Sequence, residues 1–213
     1  MRKLFLLAIV GVPALMFSTA CQSAPAKSPS PTIPRATTTT QPTVIAQPSV
    51  PAPAPITWKA DGKIVQGEYQ NSSVFNNFEL YWSSDDQFVY FAMKAKTGGW
   101  IAIGFDPVSL MKNSDIIEGY VSDGKVTVLD MYSTGDFGPH PPDIQLGGTN
   151  DIIESGGTEE DGYTVIEFKR KIDTGDKFDK VLGKGTHKII WAVGPDDQAT
   201  IRHSVRGTGE IDL

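Results

Sequence analysis

The chain has 213 residues, with 25 acidic and 19 basic side chains and a formal net charge of −6. Every acidic residue follows position 60, whereas four basic residues precede position 57, so residues 57–213 are more acidic than the whole chain. Such a charge is poorly suited to nucleic acid, whose binding depends on neutralising phosphates. The single cysteine excludes an internal disulfide and a covalently attached c-type haem.

The first 21 residues have the pattern of a secretory signal. Arg2 and Lys3 precede an apolar run over residues 4–17, which is shorter than the about 20 residues that span a membrane. Small residues then lead to Cys21, and the segment resembles a bacterial lipoprotein signal, in which that cysteine is lipidated. The alternative is an ordinary cleaved signal with an incidental cysteine. We expect an extracytoplasmic protein, at the bacterial cell surface or in the periplasm. Its partner there is the membrane, to which a lipid on Cys21 would anchor it.

Residues 22–56 consist mainly of Pro, Ala, Ser and Thr, including a run of four threonines over residues 37–40. This composition cannot bury enough apolar surface to fold and favours an extended chain. We therefore expect a disordered linker there. Residues 57–213 have the size of one domain.

The predicted elements of residues 57–213 are short strands separated by turns. No segment has a convincing amphipathic helical pattern, and residues 133–148 are too rich in Gly, Pro and Asp for regular structure. Regularly spaced short strands predict an all-β protein, an immunoglobulin-like antiparallel β-sandwich. The predicted strands cover residues 63–69, 78–83, 88–95, 100–105, 116–121, 125–132, 152–154, 163–170 and 187–194.

Met111 lies in the loop after the strand over residues 100–105, which ends at Asp106 and Pro107 because proline lacks a donor for the ladder. A thioether on a well-supported loop is a candidate ligand, above all for haem iron. The alternative is that Met111 fills a gap in the core. Patterns for hydrolysis, zinc binding or phosphate binding do not rise above background in this sequence.

Four features, in this order, resemble the DOMON domain family of secreted β-sandwiches that bind haem or sugar. The likeness covers residues 56–207, nearly the whole domain. The features are the Gly-Trp strand Gly99–Phe105, Met111 followed by Ser114–Ile117, the segment Val128–Tyr132, and the late strand Ile190–Ala192 followed by His203.

The resemblance implies a cofactor and its ligands. In haem-binding members, such as the cytochrome domain of cellobiose dehydrogenase, a b-type haem lies in a pocket at one end of the sandwich. A methionine after the Gly-Trp strand and a histidine in a loop near the C-terminus hold its iron. By this resemblance Met111 and His203 are the axial ligands of haem b, on loops that meet at the same end. His187 is the alternative histidine, and His140 is the weakest candidate.

A Met/His pair occupies both axial positions, which suits outer-sphere electron transfer rather than catalysis. We therefore expect a non-enzymatic electron-transfer module that acts with an unidentified redox partner protein and not with nucleic acid. Arg206 is a candidate partner of a haem propionate, and Trp100 is assigned to the lining of the cofactor site. Asp115 either holds the Met111 loop through backbone hydrogen bonds or is an ordinary turn acid.

Three alternatives stay open at this point. A carbohydrate- or small-ligand-binding module of the same fold would use aromatic side chains against sugar rings, with no haem. Copper could replace haem, because Met and His both bind it. A purely structural surface domain on a long tether is also compatible with the composition.

Overall fold

The computed structural model describes residues 58–213, which form two five-stranded antiparallel sheets that pack as a sandwich. The all-β prediction is confirmed, whereas the predicted signal, the linker and Cys21 lie outside the described residues. The first sheet has the order β1-β2-β3-β8-β7 and the second β10-β9-β4-β5-β6. The strands are β1 Asn71–Phe75, β2 Phe78–Ser84, β3 Phe88–Ala95, β4 Ile101–Phe105, β5 Asp115–Ser122, β6 Lys125–Tyr132, β7 Glu154–Glu160, β8 Tyr163–Lys171, β9 Thr186–Val193 and β10 Val205–Asp212.

The core lies between the two sheets and is built largely from aromatic and branched side chains. Phe91 of the first sheet lies 5.2 Å from the ring of Phe105 and 5.3 Å from that of Phe168. Phe78 stacks on Trp191 across the sheets, with ring centroids 5.4 Å apart. Full burial of each such side chain contributes about 1.5–3 kcal/mol, so these contacts hold the sheets together.

The outer face of the second sheet is also apolar. On β4, Ile101, Ile103 and Phe105 join the core, whereas Trp100 and Ala102 belong to a second buried cluster. Ile116 and Met131 complete that cluster from β5 and β6. Because side chains alternate between the faces of a strand, this second cluster lies on the face away from the first sheet. Both faces of β4 are thus buried, as its continuous apolar sequence indicates.

Four of the strand predictions are wrong. β1 was not predicted, and the strand predicted over residues 152–154 is β7 at Glu154–Glu160. Residues 63–69 form turns rather than a strand, and the carboxylate of Glu68 accepts a hydrogen bond from the Val65 backbone N–H at 3.0 Å. The last strand, β10, was not predicted because its inward positions include Gly207 and Gly209, which remove the apolar alternation. Both glycines lie directly against aromatic rings, those of Trp191 and Phe75.

Regular helix is nearly absent from residues 58–213. The short helix α1, Asp143–Leu146, lies within the region 133–148 that was expected to be irregular. Within the described residues, the structure contains no helix of the length and apolarity needed to cross a membrane.

A buried charged network connects the two sheets. The Arg170 guanidinium of β8 donates to Asp115 Oδ2 of β5 at 2.8 Å and lies 3.4 Å from Asp179 Oδ1. Asp130 of β6 and Asp143 of α1 are 2% and 1% exposed beside this network. Burial raises the pKa of Asp130 to about 8 and that of Asp143 to about 7, with Asp179 and Asp115 adding repulsion.

These buried carboxyl groups predict a stability that falls as the pH rises. Asp130, Asp143 and Glu118 have folded-state pKa values raised to about 8, 7 and 8, above unfolded values of about 4. The folded protein therefore binds more protons than the unfolded chain, and stability is lost as the pH passes through the folded pKa. Asp85 and Asp176 have lowered pKa values, so both are ionised in either state above about pH 5.

We expect the melting temperature, measured without divalent cations, to be lower at pH 8 than at pH 5 by on the order of 5 °C. Differential scanning calorimetry across this range checks the sign. A melting temperature that rises from pH 5 to pH 8 would contradict the assignment of these groups as protonated at neutral pH.

Candidate functional site

A cavity of about 340 Å³ lies over the outer face of the second sheet. Its volume falls within the range of small-molecule sites, about 300–1,000 Å³. The wall is mainly apolar, and four strands contribute to it. The apolar side chains from the sheet include Trp100, Ala102, Ile116, Ile190 and Ala192.

Trp100 and Gly104 shape the floor of the cavity. The Trp100 side chain is 4% exposed and packs against Gly194, and its Nε1 has no hydrogen-bond partner within residues 58–213. A Cβ at Gly104 would lie 2.5 Å from Ser114 Oγ and 2.8 Å from Ile190 Cγ1. Gly104 therefore allows the β4–β5 loop to pack closely on the sheet.

Met111 lines the cavity from the loop between β4 and β5. It packs against the outer apolar cluster. Its loop is compact: the backbone N–H of Ser114 donates to Met111 O at 3.0 Å, and that of Asn113 donates to Ser133 O at 2.9 Å. Leu110 and Asn113 have positive φ values of 46° and 59°. The thioether is thus held on a turn that β6 braces.

His203 lines the same cavity, but from the opposite end of the sheet. β4 pairs with β9 so that Ile101 faces Val193 and Phe105 faces Ile189. Met111 follows the Phe105 end, whereas His203 follows the Val193 end. The expectation that both loops meet at one end of the sandwich is wrong, because antiparallel pairing sends these two loops to opposite ends. Both side chains line the cavity over the outer face of the second sheet.

His140 also lines the cavity, from the loop between β6 and α1. Its Nδ1 is buried and has no hydrogen-bond partner among the described residues. Burial lowers the pKa of His140, and burial together with Arg206 and Arg202 lowers that of His203. Both rings are therefore neutral at pH 7, the form that binds a metal. The backbone carbonyls on either side of His140 hold its loop: Pro139 O accepts from the Thr134 N–H at 3.1 Å and Pro141 O from the Tyr132 N–H at 3.2 Å.

His187 is not among the residues that line the cavity. Its Nδ1 lies 2.7 Å from Asp106 Oδ2 and its Nε2 lies 2.8 Å from Gly183 O. Both ring nitrogens are therefore engaged in contacts between the end of β4 and the start of β9.

Glu118 is a polar residue of the cavity that the sequence interpretation missed. It is 1% exposed on β5, and burial raises its pKa to about 8. Its Oε1 has no hydrogen-bond partner within residues 58–213. Its sequence position could have indicated this: Glu118 lies two residues after Ile116 in β5, so both side chains project from the outer face of the second sheet. Arg206 and Thr208 of β10 add polar groups at the rim.

Asp115 does not hold the Met111 loop in the way proposed from the sequence. Its Oδ2 accepts the Arg170 guanidinium and the Lys180 backbone N–H, each at 2.8 Å. The Met111 loop is instead braced by backbone contacts between Ser114 and Ser133. Asp115 thus joins the network between the sheets.

A family profile described as "DOMON domain" matches residues 74–194. The chain is 26% identical over 144 residues to "MOXD1 homolog 1" of Drosophila melanogaster, covering 64% of this chain and 20% of that protein. It is 30% identical over 118 residues to "DBH-like monooxygenase protein 1" of Mus musculus, covering 55% and 18%. The chain thus spans about a fifth of these curated relatives.

Among solved structures, the cytochrome b domain of pyranose dehydrogenase from Coprinopsis cinerea aligns with a TM-score of 0.46 and 15% identity. The alignment covers 63% of this chain and 75% of that chain.

Proposed function

Since this chain belongs to the DOMON domain family, we propose that its sandwich binds b-type haem in the cavity over the second sheet and transfers single electrons. The observation that carries the proposal is the donor set: a thioether and two imidazoles line one mainly apolar cavity. Soft sulfur and neutral imidazole are the axial donors of cytochromes. A bound haem would supply the one-electron couple, and the protein chain would supply ligands and an apolar environment.

Each proposed ligand suits its role. Met111 is fixed by its hydrogen-bonded turn, which supports one axial bond. His203 approaches from the opposite loop with its pKa lowered, so its ring is available without first losing a proton. Arg206 at the rim can pair with a propionate through its planar fork. Trp100 forms part of the apolar wall against the macrocycle.

His140 is the alternative to His203 as the second axial ligand. Both line the cavity, and His140 contributes to lowering the pKa of His203. We assign the ligand to His203 because the family resemblance places a histidine in that loop. The proposal includes an extracytoplasmic position on a tether anchored at Cys21, with a redox protein as partner.

We expect the purified protein, supplied with haem, to show a strong Soret band and sharp α and β bands after reduction with dithionite. These bands are the signature of six-coordinate, low-spin haem. Met111→Ala and His203→Ala should each convert the spectrum to a five-coordinate form, while haem is still taken up. Absorption spectra of the oxidised and reduced protein, with circular dichroism to verify folding, check this result.

His187→Ala is the matched control, because His187 is outside the cavity, and its spectrum should be that of the wild type. His140→Ala should also keep the six-coordinate spectrum. If it loses the sixth ligand while His203→Ala keeps it, the ligand assignment is wrong and haem binding stands. A folded, colourless wild-type protein would contradict haem binding altogether and favour the carbohydrate- or small-ligand-binding alternative.

A further inference from the structure

Away from the cavity, three aspartates from different parts of the chain converge. Asp115, Asp130 and Asp179 each place a carboxylate oxygen within 4.8 Å of the others. Asp115 and Asp130 project inward from adjacent strands of the second sheet, and Asp179 comes from the segment after β8. We call Asp115, Asp130, Asp143 and Asp179 the inter-sheet acidic site.

The environment of Asp143 gives an independent indication that a ligand binds here. It lies on α1, is 1% exposed, and neither carboxylate oxygen has a hydrogen-bond partner within residues 58–213. Two contacts hold it beside β6: Pro142 forms a β-bridge with Met131, and the Tyr132 N–H donates to Pro141 O. Because the Met131–Pro142 bridge is antiparallel, the next residue, Asp143, lies beside Asp130 on the same side of the sheet. Repulsion from Asp179 and Asp115 adds to the effect of burial in raising the pKa of Asp143.

The protein charges around this site do not balance. Arg170 satisfies Asp115 Oδ2 and approaches Asp179, and Lys180 contributes a backbone donor and a weaker electrostatic attraction. Asp115 Oδ1 and Asp130 Oδ1 remain without hydrogen-bond partners in the described part of the chain. Buried carboxylates require pairing, protonation or a metal. Four carboxyl groups around one buried guanidinium therefore leave several oxygens without a partner, and either protons or a cation must neutralise the carboxyl groups that Arg170 does not pair.

We propose that the inter-sheet acidic site binds a Ca²⁺ ion. The available donors are all oxygens, which suits a hard cation rather than zinc or copper. Donors from strands, a short helix and a loop form the irregular set that Ca²⁺ accepts, whereas Mg²⁺ requires a strict octahedron. The ion would join β5, β6, α1 and the segment after β8, independently of haem. Because Asp115 follows the Met111 loop and Asp143 follows His140, it also fixes both of these cavity-lining segments.

The raised pKa values support this site. Burial raises the pKa of Asp130 to about 8, of Asp143 to about 7 and of Asp179 to about 6. Without an ion, the protein therefore retains protons there near neutral pH. Ca²⁺ replaces those protons, so its effect should be larger at pH 8 than at pH 5.5.

The first test is thermal unfolding of the chelator-treated protein at pH 7.5, with isothermal titration calorimetry in parallel. For a dissociation constant of about 10 µM, 1 mM Ca²⁺ should raise the melting temperature by about 5–10 °C. Asp130→Asn and Asp143→Asn should each abolish the calcium shift. Asp123→Asn is the matched control: it removes an exposed acidic side chain from the β5–β6 turn and should keep the full shift.

Three results would overturn the proposal. The first is a folded wild-type protein with neither a melting shift nor heat of binding in up to 10 mM Ca²⁺, well above the about 1 mM of weak extracellular sites. The second is an undiminished shift in both aspartate variants, which would place the ion elsewhere. The third is an equal response to Mg²⁺, which would remove the assignment to calcium.

Terbium luminescence tests the site in a protein that keeps all four aspartates, in case the aspartate variants fail to fold. Tyr132 pairs with Asp115 across β5 and β6, so its ring should sensitise a Tb³⁺ ion bound at the site. Ca²⁺ should compete this emission, and Tyr132→Phe should lose most of it, whereas Tyr163→Phe on the far sheet should not. Emission that Ca²⁺ does not displace, or that Tyr132→Phe leaves intact, would contradict the site.

Discussion

Arg170→Leu should lower the free energy of unfolding by about 3–5 kcal/mol, the usual cost of leaving a buried charge without its partner. The Arg170 side chain is fully buried and donates to Asp115 Oδ2 and to Lys180 O. Without the guanidinium, four buried carboxyl groups would have no buried cation among the described residues. Urea unfolding at pH 7.5, in the absence of divalent cations, measures the loss.

The matched control is Lys171→Leu, which removes the adjacent positive charge of the same strand. Lys171 is exposed, so its replacement should change stability by no more than about 0.5 kcal/mol. The cost of Arg170→Leu should shrink at pH 5, because the neighbouring carboxyl groups are then protonated and need no cation. An equal cost at both pH values would show that Arg170 acts through packing rather than charge.

The inner strands of the sandwich could be predicted because buried strands consist mainly of apolar residues, which are visible in the sequence. β3 and β4 are continuous apolar runs, and β8 alternates around Phe168, so each gives a clear local pattern. Two edge strands could not be predicted in this way. The first three residues of β1 are polar, and β10 presents glycines where apolar side chains would signal a strand.

The candidate site was only partly readable from the sequence. Met111 was a candidate because of its loop after a buried strand, and the family resemblance added His203; the structure brings both to one cavity. The sequence could not predict that the Met111 and His203 loops lie at opposite ends of the second sheet, because this depends on which strands pair. The position of His140 at the cavity could not be predicted either, because local composition describes exposure poorly when a loop folds back on a sheet. Glu118 was missed because a single acidic residue in a strand normally marks a solvent-facing position.

Ala192→Trp should abolish haem uptake while leaving the protein folded. Ala192 lines the cavity from the outer face of β9 and is not part of the inter-sheet core. An indole at this position would occupy space above the sheet without disturbing the packing between the sheets. The resulting steric block should weaken haem affinity by about 100-fold or more, equivalent to about 2.7 kcal/mol.

This substitution separates the shape of the cavity from its ligands, because Met111, His203 and His140 all remain present. Lys188→Trp is the matched control: it adds the same side chain to the same strand, at an exposed residue that does not line the cavity. Titration of haem into both variants, followed at the Soret band, measures the difference. If Ala192→Trp bound haem as tightly as Lys188→Trp and with an unchanged spectrum, the haem would lie elsewhere. The donor residues of this face would then be incidental. If only Ala192→Trp fails, the cavity over the second sheet is the cofactor site, whichever histidine completes the coordination.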